Sequence, residues 1–587
     1  MPPIAWALRE RFRQGYTRAD FRADVLAGVV VGVVALPLSM ALAIAVNAPP
    51  QAGLYTAIVA GLVVGPLGGS RFQVSGPTAA FVVVLAPIVS RHGLAGLLTA
   101  GVLAGGLMAL MGLARLGKLI QFIPHPVTTG FTSGIAVVIA TLQLKDVLGL
   151  RLAHMPDEYV ARIVALWHAH GTFRPAELVI ATLTLTLLLT VPRMTRRVPA
   201  PLVALTAVAI VAWVLHRIFP AFDAATINSR FAAQGGIPHM LPRPRLPWAG
   251  HPGGLTWSLI RDLMPSAMAI AMLGAIESLL SAVIADGMTR TRHDPDAELL
   301  AIGTGNMIAP LLGGIAATGA LARTATNVRS GAQSPIASVV HALVLLLSMV
   351  VLARWVGYLP MASLAALMLV VAWNMSEVRH FGHILQVAPR SDVIVMLACF
   401  GLTVLVDMVA AVSIGVVLAA LLFMRRMAEI TSARVSTDQP SAKGGKLPKG
   451  VMIYEIAGAL FFGATQNAMQ ALDVIHDNVR VVLFDLSMVP AMDATGLVGL
   501  ESALDRLAES QVRAAFVGLQ TQPLRTIERA KLLERSEVLG AFATVDEAVL
   551  AAEEHLVTNP RPSRPSVPVP SGAPASIDPG PLDSHQG

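Results

Sequence analysis

The sequence predicts a polytopic α-helical membrane protein followed by a small soluble α/β domain. Of its 587 residues, 55% are hydrophobic and 13% are charged, and the mean hydropathy of +0.66 is well above the range of soluble globular proteins. The apolar residues form about fourteen segments, most of them near the ~20 residues that cross a bilayer. Basic residues stand at the ends of these segments and do not cluster on one face. The pI of about 9.9 therefore fits a lipid bilayer as partner and argues against nucleic acid.

The basic residues also predict the orientation of the chain. The predicted spans are 25–46, 52–66, 77–90, 94–114, 126–148, 176–192, 200–216, 259–285, 298–313, 319–332, 335–353, 358–374, 391–407 and 408–424. Every second loop carries arginines, such as Arg425 and Arg426 after the last span, whereas "NAPPQ" after the first has none. Both termini are therefore expected in the cytoplasm. Residues 1–23 are basic and amphipathic and lack a signal-peptide core, so they predict a cytoplasmic N-terminal segment.

Two predicted spans are unusually short and interrupted: "SGPTAAFVVVLAPIVS" (75–90) and "TGALARTATNVRSG" (318–331). Similar glycine-containing stretches precede them, "GPLGG" at 65–69 and "PLLGG" at 310–314. The membrane region, 24–426, therefore reads as two copies of one seven-span unit, and the odd number of spans inverts the second copy. Paired interrupted helices in inverted repeats are the best sequence indication of a transporter's binding site.

The starts of these two short helices are expected to direct free N–H groups and positive dipole ends at one point, which favours a small anionic substrate. The candidate substrate-binding residues there are Ser75, Gly76, Thr78, Ala79, Thr318, Gly319 and Ala320. The alternative is that the small residues only allow close helix packing.

Two charged residues inside spans complete the candidate site. Arg323 falls about one turn into the second short helix, where an arginine costs roughly 2.5–3.5 kcal/mol and so should be functional or paired. Glu277 is the lone acid of its span and shares a helix face with Ser281 at i, i+4. A buried carboxylate either takes up a proton or finds a cation, so Glu277 and Ser281 are candidates for coupling to a proton, or to sodium. The alternatives are that Arg323 extends to the membrane interface or that Glu277 is its static partner.

These residues resemble those of a known family. "SGPTAAFVVVLAPIV", "GAIESLLSAVIADG" and "ATGALARTATNVRSGA" are similar to motifs of the sulfate permease (SulP, or solute carrier 26) family of anion transporters, and the resemblance covers about residues 15–555. It implies about fourteen spans as two inverted seven-span repeats, with a core domain (spans 1–4 and 8–11) moving against a gate domain (spans 5–7 and 12–14). It also implies an anion between the third and tenth spans, near Ser39 of the first, in a homodimer of the bacterial inner membrane.

The segments "GAIESLLSAVIADGMT" and "LMLVVAWNMSEVRHF" are most similar to those of the branch of bacterial aerobic C4-dicarboxylate transporters. That likeness implies proton-coupled uptake of succinate, fumarate or aspartate. The alternative is sulfate or bicarbonate transport, coupled to protons or sodium. A membrane sensor and a nucleobase symporter are rival classes. An enzyme is not expected, since the sequence has no nucleophile–base pair, metal cluster or phosphate loop, and no cofactor is expected either.

After Arg426 the composition becomes polar, which predicts a linker at 427–448 and a domain of alternating strands and helices at 449–555. "FDLSMVPAMDATGL" resembles the signature of the STAS domain, a module that can bind a cytoplasmic protein partner. Asp493 is expected to cap the helix that follows, and Thr495 occupies the position phosphorylated in anti-sigma antagonist relatives. Both are candidate regulatory residues, with capping and packing as the alternative. The Pro/Ser-rich tail, 556–587, is expected to be disordered.

Overall fold

The computed structural model describes residues 4–118, 124–152, 155–195, 199–220, 222–232, 242–251, 253–406, 408–430, 432–436, 447–461, 465 and 478–560. The chain divides into two compact units, Met1–Ala420 and Leu421–Gly587. Most of the predicted tail therefore lies outside the described residues, as do parts of the predicted linker.

Within its described residues, the regular structure of the first unit is helical apart from one pair of two-residue strands. Its helices are α1 (Trp6–Arg13), α2 (Arg18–Ala45), α3 (Pro50–Leu67), α4 (Ala79–Leu113), α5 (His125–Val147), α6 (Tyr159–His168), α7 (Pro175–Met194), α8 (Ala200–Ile218), α9 (Ile227–Arg230), α10 (Trp257–Thr289), α11 (Pro295–Leu311), α12 (Leu321–Arg329), α13 (Ile336–Val356), α14 (Met361–Ser376), α15 (Val378–Val387), α16 (Arg390–Leu405) and α17 (Met408–Ile430). Within the described ranges, 10 helices are long and apolar enough to cross a membrane. The fold is thus the predicted polytopic α-helical one.

Two boundaries differ from the prediction for reasons of backbone geometry. The first span begins at Arg18, inside the predicted N-terminal segment 1–23, because Thr17 and Asp20 form a reciprocal capping box. The third and fourth spans are both part of α4, divided only at Gly93, whose φ of 66° and ψ of −176° break the helical path. Glycine adopts a positive φ at little cost, which explains this residue at the bend.

The helices pack as two groups. α13 packs on α2 and α3, and α4 packs on α10 and α11, so that spans of the first repeat contact spans of the second. α5 packs on α14 and α16, and α14 also packs on α7. These groups are the sets of spans expected to form the core and the gate, so the two-bundle arrangement of the inverted repeats is confirmed.

The second unit contains a five-stranded sheet in the order β3-β4-β5-β6-β7. The strands are β3 (Ser432–Ser436), β4 (Val451–Ala457), β5 (Val481–Met488), β6 (Arg513–Val517) and β7 (Val538–Phe542), and the helices are α18 (Ala494–Glu509), α19 (Thr521–Arg529) and α20 (Val545–Thr558). β4 to β7 are parallel. Tyr454, Phe484 and Phe516 on neighbouring strands form a buried aromatic row in its core.

Secondary structure of the second unit extends past the predicted limits of this domain at both ends. β3 lies in the predicted linker and pairs antiparallel with β4, with Arg434 opposite Glu455. An edge strand takes its hydrogen bonds from the neighbouring backbone, so "SARVS" needs no apolar run to form one. At the other end α20 continues to Thr558, beyond the predicted end at 555.

Candidate functional site

Two short strands bring the interrupted spans together. β1 (Ser75–Gly76) and β2 (Thr318–Gly319) pair antiparallel, with Ser75 opposite Gly319 and Gly76 opposite Thr318. α4 and α12 begin directly after these strands, behind Thr78 and Ala320. In the part of the chain that the structure describes, neither of these helix starts has a side-chain cap. Two helix N-termini therefore begin side by side, which confirms the predicted convergence of the two short helices.

Two buried polar residues of α11 fix the approaches to these strands. Asn306 donates from Nδ2 to the Ala317 carbonyl at 2.8 Å and accepts from the Ala317 N–H at 2.7 Å. Glu298 Oε2 accepts from the backbone N–H of Gly69 at 2.8 Å and of Ser70 at 3.0 Å. The sequence analysis missed both residues. The signal was present, since each is a polar residue inside an apolar predicted span.

Arg323 lies between the two short helices. Its side chain is buried, with 3% exposed, and Nη2 donates to the carbonyl oxygen of Pro77, just ahead of α4. A Cβ atom on Gly76 would lie 2.5 Å from Nη1, so the guanidinium rests directly against the Gly76 backbone. Nε and Nη1 have no hydrogen-bond partner among the described residues. Arg323 therefore reaches from α12 to the start of α4 with two buried donors unpaired.

Glu277 is held by the first short helix and not by Arg323. Its Oε2 accepts from the Thr78 hydroxyl at 2.9 Å, and the side chain is partly buried. Among the described residues, the ion pairs within 4.0 Å include none between Glu277 and Arg323. The alternative of a static pair is therefore wrong, and no carboxylate of the described residues forms an ion pair with Arg323.

α10 also holds the second interrupted segment. The Ser278 hydroxyl lies 3.2 Å from Thr318 Oγ1 and accepts from the Gly319 N–H at 3.0 Å. Ser281 donates to Thr324 Oγ1 at 3.1 Å, one turn farther along α10. Ser281 thus faces α12, as its shared face with Glu277 predicts. Ser278, which sequence reasoning missed, orients the strand ahead of α12.

Four candidate residues remain: two lie at the helix starts, one lies in β1 and one lies on α2. Ala79 and Ala320 are buried at the two helix starts, and the Ala320 N–H donates to the Val74 carbonyl at 2.9 Å. Ser75 is buried in β1, and its hydroxyl has no hydrogen-bond partner among the described residues. Ser39 is buried on α2, where its backbone packs against Gly53 of α3. No hydrogen bond described in the structure joins Ser39 to the short helices.

The candidate regulatory residues lie at the start of α18. Asp493 accepts from the Gly496 N–H at 2.8 Å, so its predicted role as a helix cap is confirmed. Thr495 is exposed in the first turn of the same helix. Its side chain is accessible, and its modification stays a prediction.

Comparison with known proteins agrees with this architecture. The profile of the Sulfate permease family matches residues 21–399, and that of the STAS domain matches residues 446–548. A putative sulfate transporter, YvdB of Bacillus subtilis, is 39% identical over 487 residues, which are 83% of this chain and 89% of the relative. The bicarbonate transporter BicA of a Synechocystis strain is 29% identical over 538 residues, covering 86% of this chain and 90% of the relative.

Solved structures show the same fold. The transmembrane domain of a cyanobacterial bicarbonate transporter, BicA, has a TM-score of 0.60 at 29% identity and covers 68% of this chain and 98% of its own. The overall structure of SLC26A9 has a TM-score of 0.80 over 93% of this chain and 92% of its own, and at 18% identity this likeness concerns the fold alone. The chain therefore belongs to the sulfate permease family of membrane anion transporters and carries a C-terminal STAS domain.

Proposed function

We propose that this protein is a secondary active transporter of a small inorganic oxyanion, sulfate or bicarbonate, which binds at the starts of α4 and α12. One observation carries the proposal. The buried guanidinium of Arg323 keeps Nε and Nη1 unpaired beside two helix N-termini that lack side-chain caps within the described residues. A buried cation without a counter-ion is costly, and an oxyanion supplies both the charge and the acceptor oxygens.

The relatives support the inorganic anion. Those compared above are a putative sulfate transporter and bicarbonate transporters. They favour the sulfate or bicarbonate alternative over the C4-dicarboxylate that the branch resemblance implies. A dicarboxylate therefore becomes one outcome of the test.

The strength of the site suits transport, which requires both binding and release. A helix N-terminus contributes about 0.3–1 kcal/mol toward an anion, and a charge-assisted hydrogen bond contributes about 1.5–3 kcal/mol. Two helix starts and one arginine therefore bind the anion, but weakly enough for it to be released after the bundles have moved. Arg323, α4 and α10 all belong to the core bundle, so the anion moves with the core as it shifts against the gate.

Glu277 is proposed to couple this movement to a proton, with sodium as the alternative ion. Its carboxylate accepts from Thr78, the residue directly ahead of α4, and so lies beside the proposed anion site. An arriving anion neutralises the field of Arg323 and repels the carboxylate, which favours uptake of a proton by Glu277. Anion and proton then strengthen each other's binding, as symport requires.

The setting of the site is proposed from the positive-inside pattern and the family. The protein is a homodimer in the bacterial inner membrane with both termini in the cytoplasm. The STAS domain offers the exposed Thr495 beside the Asp493 cap as a place for regulation by a cytoplasmic protein.

The test is uptake of radiolabelled sulfate, bicarbonate and succinate into proteoliposomes, with pH and sodium gradients imposed separately. We expect sulfate or bicarbonate to accumulate and Arg323→Ala to lower the apparent affinity, while the variant stays folded because the helix amides remain. Accumulation of succinate alone would show that the substrate is a dicarboxylate. Uptake by Arg323→Ala equal to that of the parent would show that Arg323 does not bind the anion.

A further inference from the structure

A cavity of about 310 Å³ lies in the membrane unit, apart from the site at the starts of α4 and α12. Its walls come from the end of α2, the part of α4 just before the bend at Gly93, the end of α5 and the segment 155–157, with Arg162 of α6 and Arg230 of α9. All of these segments border loops that the positive-inside pattern places outside the cell. The cavity therefore opens at the outer end of the protein, with walls from both the core and the gate bundles.

The acidic groups of this cavity are already paired. Asp146 forms an ion pair with Arg230. Asp157 Oδ2 lies 3.2 Å from Nε of Arg91, on the neighbouring turn of α4. Both carboxylates that line the cavity are thus neutralised by arginines.

Two cations that line it form no ion pair with a described residue. Arg162 is buried, and it donates to the carbonyl oxygens of Pro156 at 3.2 Å and Asp157 at 3.0 Å, which compensate no charge. Lys145 is half-buried at the end of α5. Among the described residues, no ion pair involves the side chain of either. The cavity therefore keeps an excess of positive charge, which a cleft with low-dielectric walls concentrates.

We propose that this cavity is a second anion site, at the outer entrance, where Lys145 and Arg162 hold the oxyanion before it reaches Arg323. The identity of the anion rests on the proposed function, while the existence of the site rests on the cavity and its uncompensated charges. The cavity has room for an oxyanion with part of its hydration shell. A site of this kind raises the local concentration of substrate and is sensitive to ionic strength.

The test is protection of a cysteine that lines the cavity. The chain has one native cysteine, Cys399, and it is buried. Ser90 lines the cavity and is exposed, so Ser90→Cys gives an accessible reporter. In sealed proteoliposomes, the rate of its modification by a membrane-impermeant, uncharged thiol reagent is measured with external sodium sulfate, and with sodium gluconate at equal ionic strength.

We expect sulfate to slow the modification. Adding Lys145→Gln should raise the half-protecting sulfate concentration by about 30-fold, the effect of one unit charge on a divalent anion at about 4 Å in a water-like dielectric. Arg261→Gln, on an exposed residue near the start of α10, is the matched control and should leave it unchanged. Lys145 is substituted, and Arg162 is not, because Arg162 also donates hydrogen bonds to the backbone of residues 156–157.

Combining Ser90→Cys with Arg323→Ala separates this site from the proposed transport site. Protection should persist in that variant even where transport is lost. Three results would overturn the proposal: no protection by sulfate, equal protection with Lys145→Gln, or loss of protection with Arg323→Ala. The last would place the only anion site at Arg323, with an indirect effect on Ser90.

Discussion

An alanine at Gly76 would place a methyl carbon 2.5 Å from Nη1 and 3.3 Å from Cζ of Arg323. Contacts of 2.5 Å are not tolerated, so the guanidinium or the β1 strand has to move. The strand is fixed by its pairing with β2, whereas the arginine side chain is flexible. We therefore expect Gly76→Ala to push the guanidinium away from the start of α4.

The size of the effect follows from the proposed hydrogen bond between the Arg323 guanidinium and the anion, which the displaced side chain no longer forms. A hydrogen bond to a charged group contributes about 1.5–3 kcal/mol, which corresponds to a roughly 10-fold to 150-fold weaker affinity for the anion. Gly106→Ala is the control, because Gly106 lies in α4, the helix that follows β1, and a Cβ there meets nothing within 4 Å. That variant should bind like the parent.

The assay is the concentration dependence of sulfate uptake in proteoliposomes, with thermal unfolding to confirm that each variant is folded. Gly76→Ala and Arg323→Ala act on one contact, so the double variant should be no weaker than Arg323→Ala alone. Additive losses in the double variant, or parent-like affinity in a folded Gly76→Ala, would refute the placement of Arg323 against Gly76 as the basis of binding.

Three further predictions concern coupling and the second unit. Glu277→Gln should mimic the protonated state and keep anion exchange while losing accumulation driven by an inward proton gradient; accumulation that persists would make Glu277 structural. Deletion of 431–587, which removes the whole sheet including β3, should leave a folded membrane unit with an altered oligomeric state or turnover rate. If neither changed, the domain would have neither role. Asp493→Ala removes the cap of α18 and should destabilise residues 432–560 by about 1 kcal/mol in urea unfolding; an unchanged midpoint would show that the cap is dispensable.

The interrupted spans could be predicted because their cause is local. Both breaks fall where glycine follows a hydroxyl residue inside an apolar run, at Ser75-Gly76 and Thr318-Gly319, and Arg323 is conspicuous because a charge within a span is costly. The sequence also indicated Glu277 by its isolation among apolar residues. What it could not give is the partner of each, since the contact of Arg323 with Gly76 and the bond of Glu277 to Thr78 depend on how the two repeats pack.

The same reason explains the residues that were missed. Glu298 bonds to Gly69 and Gln73, which lie 229 and 225 residues away in sequence. No periodicity of the chain reports such a pairing, because it arises only when α11 packs beside α3 and α4. β3 escaped prediction for a similar reason, as its hydrogen bonds come from β4 and not from any apolar pattern of its own.

Equilibrium binding of radiolabelled sulfate to the purified protein, with bicarbonate as competitor, tests most directly whether Arg323 binds the anion. We expect saturable binding by the parent and at least about tenfold weaker binding by Arg323→Ala, because the variant loses at least one charge-assisted hydrogen bond and keeps the helix amides. Both proteins should unfold at the same temperature. Equal sulfate affinity in two equally folded proteins would show that Arg323 does not bind the anion and would place the anion elsewhere.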